Sequence, residues 1–149
     1  KTYGEAVIIL PVLKTGEAIV IVEARPFLKE TTAVGLPSGY VENDEEPIVA
    51  AHRELLEETG YAAKTLIEID NFYQDEGISS ALTHSFLALD CEKISEQQLD
   101  GSEQLKIMKV KLTEIKELEE QGYIKGAGSK LTLAKTYEYN KKKGYDLNV

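Results

Sequence analysis

The sequence carries one cysteine, Cys91, among 149 residues, so no disulfide can form within it. No Cys/His spacing suits a structural zinc ion either. The longest apolar run, Ala6 to Leu13, is strand-sized and far short of the roughly 20 residues that cross a bilayer. A charged-then-apolar leader of the secretory type is missing. Basic residues are the minority: 17 Lys and Arg stand against 26 Asp and Glu, a net charge of −9. Proteins that grip a nucleic-acid backbone gather Lys and Arg into patches. The one basic cluster, Lys141 to Lys143, falls at the end of an expected helix, where it opposes the helix dipole. These absences predict no nucleic-acid partner, no membrane span and a reducing, cytoplasmic setting. The first residue is Lys1 rather than Met, which leaves room for sequence ahead of it.

What is present suits a globular domain. The hydrophobic fraction is 42% and the charged fraction 29%, enough to build one core over residues 1–149. Val- and Ile-rich segments predict strands at Ala6–Leu13 and Ala18–Ala24, joined by a turn through Gly16. Residues 25–39 hold two prolines and two glycines and read as loop, with a short strand around Thr32–Val34. Pro47 to Thr59 reads as a helix, with Pro47 in its first turn and Gly60 just past its end. Further strands are expected at Ala62–Tyr73, Ser80–Asp90 and Ile107–Leu112. Thr113 is a candidate cap for a helix through Gln121, and Ser129 for a last helix through Lys143. Strands, a helix, more strands and then helices fit a mixed sheet with helices on its faces.

One segment is specific. In GYVENDEEPIVAAHRELLEETGY, residues 39 to 61, Glu54, Glu57 and Glu58 lie three and four apart and share a helix face. Three like charges on one stripe repel and serve no packing purpose. A hard divalent cation makes such a cluster tolerable, because Mg²⁺ takes oxygen ligands in an octahedral arrangement. Leu55, with Ala51 and Ile48 on earlier turns, is expected to anchor the helix to the sheet.

The same segment resembles the Nudix box, G-x5-E-x7-R-E-U-x-E-E-x-G-U with U a bulky apolar residue. Gly39, Glu45, Arg53, Glu54, Glu57, Glu58 and Gly60 fill the seven fixed positions, Leu55 fills the first U, and Tyr61 stands where aliphatic residues are commoner. At roughly 6% usage per residue type, seven matches arise by accident about once in a million chains of this length. The resemblance implies an α/β/α sandwich with a mixed β-sheet. It also implies that Glu54, Glu57 and Glu58 hold Mg²⁺ or Mn²⁺, with the carbonyl of Ser38 as a further ligand. Glu45 and Arg53 are then expected to hold loop and helix in place.

Residues 5 to 112 are similar in addition to the ADP-ribose pyrophosphatase branch. That similarity implies hydrolysis of ADP-ribose to AMP and ribose 5-phosphate, with Arg25 on the substrate. Glu103, in DGSEQLKIMKV, matches a late loop glutamate that serves as metal ligand or base. This chain has Gly101 where the branch often has a second acidic residue, and Asp100 is the alternative. It also has Val34-Gly35 where the branch carries a glutamate, and Glu76 where it has a proline. The N-terminal strands that many members use to dimerise are largely missing, and family habit alone implies a homodimer here.

Other readings compete. A house-cleaning hydrolase of nucleoside triphosphates would use the same box, and a non-catalytic nucleotide sensor would keep the fold. Sensors usually lose a box glutamate or gain a DNA-binding domain, and this chain keeps every fixed position. Tyr40, Phe72 and Tyr73 are candidates to stack on a nucleobase, with Tyr40 taken as a substrate residue. His52 is expected on the surface. His84 reads as a hydrogen-bonded structural histidine, and Cys91 has no neighbour that would make it a nucleophile.

Overall fold

The computed structural model describes residues 4–24, 32–99 and 105–143. Eight strands and three helices follow in the order β1 (Ala6–Leu13), β2 (Glu17–Ala24), β3 (Thr32–Gly35), β4 (Ser38–Tyr40), α1 (Pro47–Thr59), β5 (Tyr61–Ala62), β6 (Thr65–Tyr73), β7 (Leu82–Lys93), β8 (Leu105–Lys111), α2 (Leu112–Glu120) and α3 (Ala127–Lys143).

β1 is the hub. Its eight residues are nearly all apolar because it is paired along both edges and covered on both faces. β7 runs parallel to it along one edge, from Ala6 opposite Thr83 to Leu13 opposite Cys91. The other edge is shared by two antiparallel strands. β4 takes the start, with Ile8 opposite Ser38, and β2 takes the end, with Val12 opposite Ala18. β6 and β5 extend the sheet beyond β7, while β3 and β8 flank β2, all antiparallel. The sheet is therefore mixed.

Alternation along β1 divides the core. Val7 and Ile9 join Phe86 and Ala88 of β7 against Ala50, Ala51 and Leu55 of α1. Ile8, Leu10 and Val12 join Leu87 against Ile115 of α2 and Leu133 of α3. This is the layered α/β/α arrangement that the motif implied. Each fully buried Leu or Ile contributes on the order of 1.5–3 kcal/mol. A buried polar link, Ser85 Oγ donating to Thr132 Oγ1 at 2.8 Å, ties β7 to α3.

Local expectations hold unevenly. α1 has the predicted bounds, with Pro47 in its first turn and Gly60 left-handed at φ 79°. Leu55 and Ala51 are buried as expected, but Ile48 is 44% exposed and Ala50 takes its place against the sheet. The expected strand Ala62–Tyr73 is two strands, broken where Lys64 N–H turns to the Leu89 carbonyl. Thr113 and Ser129 cap nothing: α2 starts at Leu112 and α3 at Ala127, so both lie inside helices. Glu114 stands in at α2, accepting the Lys111 N–H at 2.8 Å. No helix among the described residues is long and apolar enough to cross a membrane.

Candidate active site

The loop Val41–Glu46 and the helix α1 are held together by a single guanidinium. Arg53 donates from Nε to Glu45 Oε2 at 2.9 Å and from Nη2 to Glu45 Oε1 at 3.0 Å, a two-point grip on one carboxylate. Nη2 also donates to the Tyr40 carbonyl at 2.9 Å, which fixes the end of β4. Nη1 reaches Glu54 at 2.8 Å and, more loosely, Glu57 at 3.4 Å. Glu45 closes the loop by accepting the Glu42 N–H at 2.9 Å. Hydrogen bonding from Arg53 holds the Glu45 carboxyl below the usual carboxylate range, and Glu45 in turn raises the Arg53 pKa further. Both groups stay charged at any physiological pH.

Two of the three glutamates are drawn to one dipeptide. Glu58, only 8% exposed, accepts the Ser38 N–H through Oε1 at 2.8 Å. The Glu54 carboxylate packs so closely on Gly39 that a β-carbon there would overlap it. Glu57 is the most open of the three, with 39% of its side chain exposed against 15% for Glu54. All three therefore lie on one end of the helix face, ordered by Arg53, Gly39 and Ser38.

Beside this end lies a cleft of about 1130 Å³. Ser38, Gly39, Tyr40 and Glu58 form one wall, and Gln74, Asp75 and Ser79 form another. The first residues of α3, Ala127 to Ser129, close a third side. Ser129 braces that corner by accepting the Leu36 N–H at 3.3 Å. The NUDIX domain family matches residues 2–129, a span that contains the box, the cleft and every strand.

The chain belongs to the Nudix family.

Three relatives bear on which kind of Nudix protein it resembles. The chain is 40% identical over 116 residues to the ADP-ribose pyrophosphatase of Bacillus subtilis, covering 77% of this chain and 62% of that protein. It is 33% identical over 99 residues to a Nudix hydrolase of Schizosaccharomyces pombe, covering 60% of this chain and 48% of the relative. It thus spans roughly half to three-fifths of the length of these curated relatives. In fold it is similar to a crystal structure described as an ADP compounds hydrolase. There the TM-score is 0.82 at 26% identity, over 94% of this chain and 74% of the other.

Nudix hydrolases generally use divalent metal ions, and the donor chemistry here fits one. Among the described residues no group of three or more His, Cys, Asp or Glu is already gathered as a cage. Yet the carboxylates of Glu54 and Glu58 are both brought to the Ser38–Gly39 backbone, Glu54 taking the space that the missing β-carbon of Gly39 leaves. Carboxylate and carbonyl oxygens are what Mg²⁺ and Mn²⁺ prefer.

Ser38, Tyr40, Arg53, Glu54, Glu57 and Glu58 lie together around the end of α1. Arg25 and Glu103, with the alternative Asp100, lie outside the described residues. Tyr40 lines the cleft at 66% exposure, whereas Phe72 packs into the core and Tyr73 is exposed. His84 is hydrogen-bonded as expected, to Glu68 at 2.8 Å and Glu5 at 3.2 Å. His52 is exposed. The Cys91 thiol is buried, and burial pushes its pKa up to about 12, which disfavours the thiolate form. The walls at Gln74, Asp75 and Ser79 and at Ala127–Ser129 went unforeseen, because small and polar residues carry no local signal of a cleft.

Proposed function

We propose that this chain is a divalent-metal-dependent pyrophosphohydrolase of nucleoside diphosphates linked to a further group, with ADP-ribose as substrate. The supporting observation is the Arg53 fan, which orders the box glutamates against Ser38–Gly39 at the wall of a nucleotide-sized cleft. The names of the Bacillus relative and of the structural neighbour favour an ADP compound over other nucleotides. The reaction adds one water across the diphosphate: ADP-ribose + H₂O gives AMP and ribose 5-phosphate.

Magnesium or manganese held by Glu54, Glu57, Glu58 and the Ser38 carbonyl would neutralise the diphosphate and lower the pKa of the attacking water. Arg53 keeps the glutamates in place. Buried Glu58, fixed by the Ser38 N–H, holds its carboxylate at the cleft wall throughout. Tyr40, exposed beside the same wall, offers a face to a base or ribose. Glu103 is assigned as base or additional ligand, and Arg25 as a partner for the substrate's phosphates. The whole of residues 1–149 is read as one catalytic domain, and the reduced Cys91 suits a cytoplasmic setting.

The test is a panel of ADP-ribose, other nucleotide sugars, dinucleoside polyphosphates and nucleoside triphosphates, with Mg²⁺ or Mn²⁺ and products separated by chromatography. Metal-dependent release of AMP from ADP-ribose is expected. Cleavage of triphosphates alone would replace the substrate with that of a house-cleaning enzyme. Nucleotide binding with no turnover of any member would make the chain a sensor.

A further inference from the structure

We infer that Gln97 is a positioning residue for the metal-binding end of the box helix, acting through the carbonyl of Glu58. The inference rests on the proposed metal role of Glu58. The last carbonyls of any helix lack partners within it. Here the segment after β7 folds across the end of α1 and supplies them. Ile94 and Ser95 N–H groups donate to the Gly60 carbonyl at 2.9 and 3.1 Å, and the Gln98 N–H donates to the Glu57 carbonyl at 2.7 Å. Those bonds come from the backbone, so most residues could make them.

Gln97 differs because its side chain does the binding. Its Nε2 donates to the Glu58 carbonyl at 2.7 Å and to the Leu105 carbonyl at 3.2 Å. Both acceptors are carbonyls, so the group between them must be a donor; a carboxylate oxygen would face their lone pairs with no proton to share. Leu105 opens β8 and lines the cleft. One amide therefore ties the glutamate-bearing helix to the first residue of β8. Glu58 is consequently held at both ends, its carbonyl by Gln97 and its carboxylate by the Ser38 N–H. Loss of the first hold lets the last helical turn rotate, and that turn carries Glu57 as well. Groups that orient metal ligands typically cost roughly 10–100-fold in affinity or activity when removed.

The experiment is Mn²⁺ binding to the full chain without nucleotide, read from the electron paramagnetic resonance signal of the free ion, beside thermal melting. The proteins are wild type, Gln97→Glu, Gln97→Met and Gln98→Ala. Gln97→Glu is expected to weaken Mn²⁺ binding roughly 10–100-fold, and Gln97→Met to weaken it in the same direction. Gln98→Ala should match wild type, because its hydrogen bond is made by the backbone. Gln97 variants that melt lower but bind Mn²⁺ like wild type would overturn the inference and leave Gln97 a mere brace. Should Gln97→Glu fail to fold, Gln97→Met, which places no charge between the two carbonyls, decides the matter. A wild type that binds Mn²⁺ but leaves ADP-ribose intact defeats the proposed substrate and not this inference. A wild type that binds no Mn²⁺ defeats both.

Discussion

The Glu54 carboxylate occupies the space that a side chain on Gly39 would need. The neighbour is the far end of a flexible side chain and not backbone, so the fold can yield while the site cannot. Gly39→Ala should therefore keep its melting temperature within a few degrees and lose activity by at least about tenfold. Melting curves and kcat/KM for ADP-ribose check this. A large drop in melting temperature with normal kcat/KM would contradict it.

Gly60 predicts the opposite outcome. Its φ of 79° is left-handed, and a β-carbon there would overlap the Ser95 carbonyl, which is backbone. Gly60→Ala should destabilise the fold by at least about 2 kcal/mol, a fall of roughly 5 °C or more in a domain of this size. Calorimetry on the two glycine variants, run side by side, separates a glycine needed for the site from one needed for the chain path.

Removing charge from the box glutamates tests the assignment of metal ligands. Glu57→Gln and Glu58→Gln preserve size and should each lower kcat/KM by at least about 100-fold. Extra Mn²⁺ should restore part of the loss in Glu57→Gln, whose position is the more open. Activity within a factor of two of wild type in either variant would remove that residue from the ligand set.

Arg53→Lys retains the positive charge and discards the fork. A lysine cannot grip both oxygens of Glu45 while also reaching Glu54 and the Tyr40 carbonyl. The expected loss is about 2–3 kcal/mol of stability, on the scale of one or two charge-assisted hydrogen bonds, with a fall in activity of roughly 10–100-fold. Urea unfolding and steady-state rates measure the two parts. A variant equal to wild type in both would show that charge alone suffices.

His84 makes stability depend on pH. Burial opposes its charge, but the hydrogen bonds to Glu68 and then Glu5 outweigh burial and raise its pKa above the ordinary 6.5. A raised pKa stabilises the fold fully below the unfolded value, and that contribution fades as pH rises through the folded one. The stability gap between wild type and His84→Gln should thus be widest near pH 5–6 and narrow toward pH 9. Urea unfolding across that range reads it. A gap that widens with pH would reverse the assignment.

The sequence was most legible where one residue type answers one local demand. Pro47 and Gly60 bound α1 because one lacks the N–H that a first turn leaves unused and the other tolerates a left-handed turn. The Glu45–Arg53 grip and the sheet-facing Leu55 follow from position in the box. Legibility ended where structure is made by distant partners. β4 has three residues and exists because β1 offers it an edge. Ser129 reads as a helix cap, but it is buried inside α3 because the Leu36 N–H needs an acceptor. Ile48 follows the apolar period of α1 yet lies beyond the reach of the sheet. Nothing local marks Gln97, whose two acceptors belong to α1 and β8.

The parallel pairing of β1 with β7 has a consequence for how the chain is made. β1 emerges before β7 as an apolar ribbon, and the strand that covers its edge from Ala6 to Leu13 begins only at Leu82. At about 5–20 residues per second, the ribosome leaves that ribbon without its main neighbour for roughly 4–15 seconds. The strands β2 and β4 arrive sooner but cover only the other edge. Closing so long a loop is entropically costly and slows folding. A nascent chain halted before β7 should therefore be a client for chaperones that recognise extended apolar segments, and completion of β7 should release it.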